Sequence, residues 1–458
     1  MHKTVVIDTI ALTPNLLQHT SFLSDFAKKG NLATIKPILP AVTCSVQSTY
    51  LTGKYPSEHG IVGNGWYFKD ECEIKFWRQS SKLVIGEKIW DMAKKNNPKF
   101  TCANLFWWFN MYSSVDYGLT PRPMYPADGR KIPDIYTKPA DIRFSLQKEL
   151  GQFPLFNFWG PATSIKASKW IANAAKWIDK KYDPTLTLIY LPHLDYGLQE
   201  FGPDSPKIEK DLQELDDLCK DLVSYYKKQD CAIIFLSEYN IMPVTYPVHI
   251  NRILRQNDYL SVREELGREL LDPGSSAAFA VSDHQVAHVY INEPKDALKI
   301  ANILQNTKGI AKVLDEKDKK QYHLDHPRAG DLVAIAEKNA WFTYYYWLSD
   351  EKAPDFARTV EIHKKPGYDP VELFIDPTLK FAKLKIAQTI LKQKLGFRTI
   401  MDVIPLDATL VKGSHGLVSH DPDDSPVFIT SHKNLLTEKS IDATNVCNLI
   451  LKHLTTFF

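Results

Sequence analysis

Short apolar runs separated by stretches of helical periodicity are the strongest constraint in this chain. Thr4–Ile7, Thr185–Leu191 and Ala232–Leu236 are apolar on nearly every position, and Leu32–Leu39 and Cys102–Phe109 read as further strands. A strand with one face in water alternates polar and apolar residues, whereas a strand apolar throughout is covered on both faces. Between these runs the spacing of apolar residues predicts helices over Phe22–Lys29, Cys44–Leu51, Lys82–Lys95, Thr163–Lys180 and Pro206–Lys228. Strand and helix in alternation predict an α/β fold of three α/β/α layers around a mostly parallel central sheet.

The pattern changes from about residue 241. Shorter strand-like runs at Ala277–Val281, Val286–Ile291 and Leu332–Ala336, with one clear helix at Lys295–Gln305, predict an α+β cap subdomain over 241–346. Residues 1–240 and 347–458 then form the main domain, which returns with a strand at Val427–Ile429 and a helix at Thr444–Leu454. The proline-rich stretch Pro121–Pro139 reads as an ordered excursion loop with the alternative of a lid. The aromatic clusters Phe106-Trp107-Trp108-Phe109 and Tyr344-Tyr345-Tyr346-Trp347 read as core rather than as a stacking surface.

Charge excludes some partners. With 56 basic and 54 acidic residues the formal net charge is +2, so bulk charge points to no nucleic-acid polymer. No run approaches the ~18 apolar residues of a membrane span, and no membrane partner is expected. The start of the chain shows no leader pattern. The six cysteines form no CxxC pair, and Cys231 opens an apolar run, which together point to free thiols and a cytoplasmic location.

Three acidic residues follow apolar strands. Asp8 closes Val5-Val6-Ile7, Asp195 lies just beyond Leu188–Leu191, and Glu238 just beyond Ile233–Leu236. The carboxyl ends of parallel strands form the usual ligand crevice, where three converging carboxylates repel one another unless a cation lies between them. The alternative is that each is a loop or capping residue. Thr43 opens a helix directly after a strand, where backbone N–H groups favour an anion; it is either a nucleophile or a helix cap.

The stretch from Thr43 through Thr52-Gly53 and Tyr55-Pro56-Ser57-Glu58-His59-Gly60-Ile61 to Asn64 resembles the nucleophile region of nucleotide pyrophosphatases/phosphodiesterases. It is similar also to phosphonoacetate hydrolases, another branch of the alkaline phosphatase superfamily. Asp8, His193-Leu194-Asp195-Tyr196-Gly197, Phe201-Gly202-Pro203 and Gly413-Ser414-His415-Gly416 extend the likeness over almost the whole chain. The resemblance implies an alkaline-phosphatase-like fold and a hydrolase that cleaves a phosphodiester, phosphomonoester or phosphonate on a small molecule. It implies Thr43 as nucleophile, Gln47 and Asn64 as substrate-binding residues, and one or two divalent cations (zinc, manganese or magnesium).

The implied metal ligands are Asp8, Thr43, Glu238 and Tyr239 around one ion and Asp195, Gln199 and His415 around the other. Only Asp8, Thr43, Asp195 and His415 keep the residue type of the resemblance. Gln199 and Tyr239 stand where histidines are expected, and Val46 followed by Gln47 stands where an asparagine is expected. Amide and phenol oxygens harden the ligand set and disfavour zinc. His363, in a loop of Lys, Gly and Pro, and His193, two residues before Asp195 on what reads as a continuing strand, are candidate replacement ligands. Ser282-Asp283-His284-Gln285 in the cap is a candidate substrate contact. Two alternatives stay open: a phosphomutase on the same fold, and an inactive metabolite-binding relative.

Overall fold

Nine strands drawn from both halves of the chain form the central sheet of the computed structural model, which describes residues 1–419 and 421–455. In chain order the first elements are β1 (Thr4–Thr9), α1 (Phe22–Lys29), β2 (Asn31–Lys36) and α2 (Thr43–Thr52). Then follow β3 (Cys102–Leu105), β4 (Tyr117–Pro121), β5 (Ile135–Lys138), α3 (Ile165–Tyr182), β6 (Leu186–Leu191), α4 (His193–Phe201), α5 (Ile208–Lys227) and β7 (Ala232–Leu236). Residues 241–346 contribute β8 (Ala278–Asp283), β9 (Val286–Ile291), β10 (Ile310–Leu314) and β11 (Leu332–Ala336). The chain closes with α6 (Ala382–Lys394), β12 (Val427–Thr430), β13 (Ser440–Asp442) and α7 (Asn445–Thr455).

The sheet order is β13-β2-β12-β7-β1-β6-β3-β4-β5. The central strands β7, β1, β6, β3 and β4 run parallel, and β12 and β5 are antiparallel to their neighbours. Every residue of β1, β6 and β7 is buried, as continuous apolar strands between two helical layers require. The register sets Asp8 beside Tyr190 of β6 and Leu236 of β7, so Asp8 and the residues just past β6 and β7 meet at one edge of the sheet. The strands within the segment read as a cap form a four-stranded antiparallel sheet, β8-β9-β11-β10, over a second hydrophobic core. That core includes Tyr67 and Phe76 from early in the chain and extends through Tyr344–Trp347 to Val411.

Helix α2 forms against its own propensities. Its residues, Thr-Cys-Ser-Val-Gln-Ser-Thr-Tyr-Leu-Thr, are poor helix formers, yet all ten are buried. Ser48, Thr49 and Thr52 satisfy their hydroxyls on carbonyls four residues back, and Gly53 ends the helix at φ +68°. Tertiary burial rather than local preference therefore holds the element that carries Thr43.

Three expectations change. The helix expected over Lys82–Lys95 is a short 3-10 turn at Ser81–Leu83 and a helix only from Ile89, because Gly86 takes φ +95° between them. The strand expected through Phe109 ends at Leu105, since Phe106 and Phe109 both adopt left-handed backbone. His193 and Asp195 are not on a continuing strand. They lie in the first turn of α4, where residues two apart point in nearly opposite directions. Both aromatic clusters are buried, and the six cysteines are free.

Candidate active site

Thr43 is the first residue of α2, and its Oγ1 lies 3.1 Å from the Tyr239 hydroxyl. That hydroxyl donates to Asp195 Oδ1 over 3.2 Å. Because a carboxylate only accepts, the Tyr239 proton points at Asp195, which leaves the Tyr239 oxygen as an acceptor for the Thr43 hydroxyl; Glu238 is the other acceptor within its reach. With the Thr43 proton on the Tyr239 oxygen, the three form a directed chain, Thr43 to Tyr239 to Asp195. Burial, then the Asp195 and Glu238 charges, hold the Tyr239 phenol well above its ordinary pKa, so it stays a donor. Burial pushes Asp195 up to about 7.

Gln47, one helical turn beyond Thr43, sets the second group. Its Oε1 accepts the Trp108 amide at 2.6 Å, which turns Nε2 toward the carboxylates. Nε2 donates to Glu238 Oε1 at 2.6 Å and to Asp8 Oδ2 at 3.4 Å. Burial raises the pKa of both acids, and the neighbouring Asp8 charge raises Glu238 further. Asp8 Oδ1 and Glu238 Oε2 remain buried with no hydrogen-bond partner.

Around Asp195 the polar groups close on themselves. Gln199 Nε2 donates to Asp195 Oδ2 at 2.8 Å, and the Tyr368 hydroxyl donates to Gln199 Oε1 at 3.0 Å. The rings of Tyr368, His284, His415 and Tyr239 then pack in sequence with centroids 3.7, 3.5 and 3.6 Å apart, the outer two pairs stacked and the two histidines tilted by 37°. Tyr239, Asp195, Gln199, Tyr368, His284 and His415 thus form one closed circuit of hydrogen bonds and ring contacts. His415 donates Nδ1–H to the Ala41 carbonyl at 2.8 Å, and burial lowers its pKa to about 3, so the ring is neutral. Three residues before Tyr368, Lys365 is buried between Asp369 and Glu372 at 2.7 Å from each.

Two donor sets can be tested against metal ions. Beside Thr43, Asp8 and Glu238 crowd two carboxyl groups together in a buried site, where the Asp8 charge raises the Glu238 pKa and one oxygen of each stays unpartnered; that oxygen set fits one cation, which would relieve the repulsion. Beside Asp195 they do not fit a second, because Tyr239 and Gln199 already donate to both carboxylate oxygens. Among the described residues, the only cluster of three or more His, Cys, Asp or Glu side chains with ligand atoms within 4.8 Å of one another is His193, Asp211 and Glu214. That cluster lies between α4 and α5, so His193 is not brought to the site.

Asn64 is brought close, but its side chain is engaged by the protein: Oδ1 accepts the Cys44 amide at 3.0 Å and Nδ2 donates to Asp283 at 3.0 Å. The Cys44 N–H at the start of α2 is consequently taken. His363 lines the same cavity as Thr43 and Asp195, with Nδ1 3.4 Å from the Phe76 carbonyl and no hydrogen bond to Asp8, Asp195 or Glu238. Sequence reasoning did not single out Tyr368 or Trp108. A lysine followed at four and seven residues by Asp369 and Glu372 was the available signal for an ordered loop around Tyr368. The cavity encloses about 1700 Å³ and carries Trp77, Trp108, Trp159 and Tyr196 on its wall.

A parallel sheet with carboxylates past its strand ends, facing a hydroxyl at a helix start, places the chain in the alkaline phosphatase superfamily. Residues 4–369 match the type I phosphodiesterase / nucleotide pyrophosphatase family, and the chain belongs to that family. An uncharacterized pyrophosphatase/phosphodiesterase of Schizosaccharomyces pombe is 28% identical over 251 residues. That match spans 51% of this chain and 41% of the yeast protein. Murine ectonucleotide pyrophosphatase / phosphodiesterase 5 shares the fold with a TM-score of 0.61 at 13% identity, covering 100% of this chain and 96% of that one. Its inactive form has been solved with AMP. Phosphonoacetate hydrolase from Sinorhizobium meliloti 1021, in complex with phosphonoformate, superposes with a TM-score of 0.63 at 13% identity, covering 99% and 96%.

Proposed function

We propose that this chain hydrolyses a phosphate ester of a small molecule, with Thr43 as nucleophile and the Tyr239–Asp195 pair as the path for its proton. The observation that carries the reading is the directed hydrogen-bond chain from Thr43 Oγ1 through the Tyr239 hydroxyl to Asp195 Oδ1. In the first step Thr43 Oγ1 bonds to phosphorus as the bond to the leaving oxygen breaks. The Thr43 proton passes to the Tyr239 oxygen while the Tyr239 proton passes to Asp195. The leaving oxygen takes a proton from water, and the hydroxide left behind takes up the proton that the attacking water gives off in the next step. A second water then attacks the phosphothreonine, and Thr43 Oγ1 regains its proton along the same path.

Asp8, Glu238 and Thr43 would hold one cation, and their oxygen-only donor set favours Mn²⁺ or Mg²⁺ over zinc. A cation there supplies Lewis acidity that lowers the pKa of the Thr43 hydroxyl. Gln47 keeps Asp8 and Glu238 oriented toward Thr43. The neutral rings of His415 and His284 screen the Tyr239–Asp195 pair from bulk water.

Family membership and the AMP and phosphonoformate named for the structural neighbours support a small phosphorylated substrate. The test is a panel of phosphomonoesters and phosphodiesters offered with Mn²⁺, Mg²⁺ or Zn²⁺. Turnover by the wild-type chain that disappears in Thr43→Ala is the expected result. Undiminished turnover in Thr43→Ala would end the reading, and the absence of any turnover would favour a binding role.

A further inference from the structure

Helix α6 presents two apolar faces, and only one of them is used. Ile386 and Ile390, with Gln393 on the same side, line the wall of the large cavity. On the opposite side Phe381, Leu384, Leu391 and Leu395 recur at helical spacing and are 75%, 56%, 58% and 67% exposed. Of the 18 exposed large hydrophobic side chains among the described residues, seven fall within 381–400, and five of these, Phe381, Leu384, Leu391, Leu395 and Phe397, lie outside the cavity lining.

Charge decides what covers it. The segment 377–401 holds Lys380, Lys383, Lys385, Lys392, Lys394 and Arg398 and no acidic residue. At 100° per residue, Lys383 falls along one edge of the exposed stripe and Lys385 and Lys392 along the other, while Lys394 lines the cavity with Ile390. Lys385 is paired with Asp402 at 2.9 Å, and none of the remaining five is recorded in an ion pair. An apolar stripe bordered on both sides by lysines matches a helix lying in a lipid interface, with its apolar side chains among the acyl chains and its ammonium groups at anionic headgroups. No described helix is long and apolar enough to cross a membrane.

We propose that the solvent face of α6 docks this protein on an anionic membrane surface. The docked helix is also a wall of the cavity, whose lining includes the exposed apolar side chains Met124, Tyr125, Phe156, Ile375 and Ile400. A substrate that is an amphiphilic phosphate ester can then pass from bilayer to cavity, with its phosphate toward Thr43. That consequence rests on the hydrolase reading above; the docking itself does not.

The test is cosedimentation with extruded vesicles of phosphatidylcholine alone or mixed with phosphatidylglycerol. The wild-type chain should bind the anionic vesicles at least about tenfold more strongly than the neutral ones, since each basic residue near such a surface contributes on the order of fivefold, and rising salt should weaken the binding. Leu384→Asp with Leu391→Asp should abolish binding, and Lys383→Glu with Lys392→Glu should remove the preference for anionic lipid. None of these four residues lines the cavity, and unchanged thermal unfolding serves as the control for folding. No binding of the wild-type chain to anionic vesicles overturns the proposal, as does binding that a folded double-aspartate variant retains. A dimer dissolved by the same substitutions, without vesicle binding, overturns it in favour of a second copy on the stripe. Sedimentation reads no turnover, so it is independent of whether the chain hydrolyses phosphate esters.

Discussion

The Tyr239 hydroxyl donates to Asp195 Oδ1 over 3.2 Å, and the same oxygen lies 3.1 Å from Thr43. The phenol stands where the family resemblance leads to a histidine, and in the proposed reaction it links the Thr43 hydroxyl to a carboxylate. Its consequences are measurable.

Asp195 accepts the proton only when ionised, and burial raises its pKa to about 7. The rate constant kcat/KM should therefore climb as pH rises through about 7 and level above it. Tyr239→Phe should lower kcat by roughly 10² to 10³, the range of a lost proton-transfer group, and flatten that limb of the profile. A pH–rate series on one responsive ester checks both outcomes.

Thr43→Ala should remove turnover and the covalent intermediate together. In the wild-type chain, rapid quenching followed by intact-mass measurement should reveal an added phosphoryl group during turnover. In the alanine variant, which deletes one hydroxyl and one methyl group, that species should be absent while the unfolding midpoint stays close to wild type.

Gln47→Leu should destabilise the protein by about 1–3 kcal/mol, because it strips the amide donor from two buried carboxyl groups. Mn²⁺ should restore part of that loss by binding the folded state at Asp8 and Glu238. Denaturant titrations with and without the ion make the comparison.

Asp283 is buried beside Asn64, and burial pushes its pKa up to about 7. Unfolded, it ionises in the ordinary range near ~4. Between those values the folded chain holds the extra proton, so this residue's contribution to stability falls as pH rises from about 4 to about 7 and is constant above. Asp283→Asn removes that dependence. The stability advantage of wild type over the variant should shrink across the same window, as read by chemical denaturation at each pH.

Tyr239→His combined with Gln199→His should raise the zinc that copurifies with the protein. Imidazoles would replace the phenol and amide that now donate to Asp195, leaving its oxygens available to a cation. Metal analysis after purification without added metal would show no change if these two positions do not face the Asp195 carboxylate.

Much of the frame was legible in the sequence. The strands at Thr4, Leu186 and Ala232 are apolar on every face, and that composition has no stable home except between two layers. Asp8 and Glu238 could be placed at the sheet edge because each follows such a run directly. His193 was misplaced because the signal that a strand has ended is weak where a helix begins within two residues. The helix Ala382–Lys394 was not singled out, since a stripe bordered by lysines on both faces lacks the simple polar and apolar halves of a surface helix.

The amino-acid order by itself determined the layers, the parallel sheet and the gathering of Asp8, Asp195 and Glu238 at the strand ends, while Thr43 joined them only through the family resemblance. The first three follow from periodicity and from which residues water excludes. Only the tertiary structure decided that Tyr239, Asp195, Gln199, Tyr368, His284 and His415 close into a circuit. These residues come from α4, the loop after β7, the β8–β9 turn and loops late in the chain. Whether a buried carboxylate meets a cation or a hydrogen-bond donor depends on side-chain directions and on separations of about 3 Å between distant segments. Local pattern carries no such information.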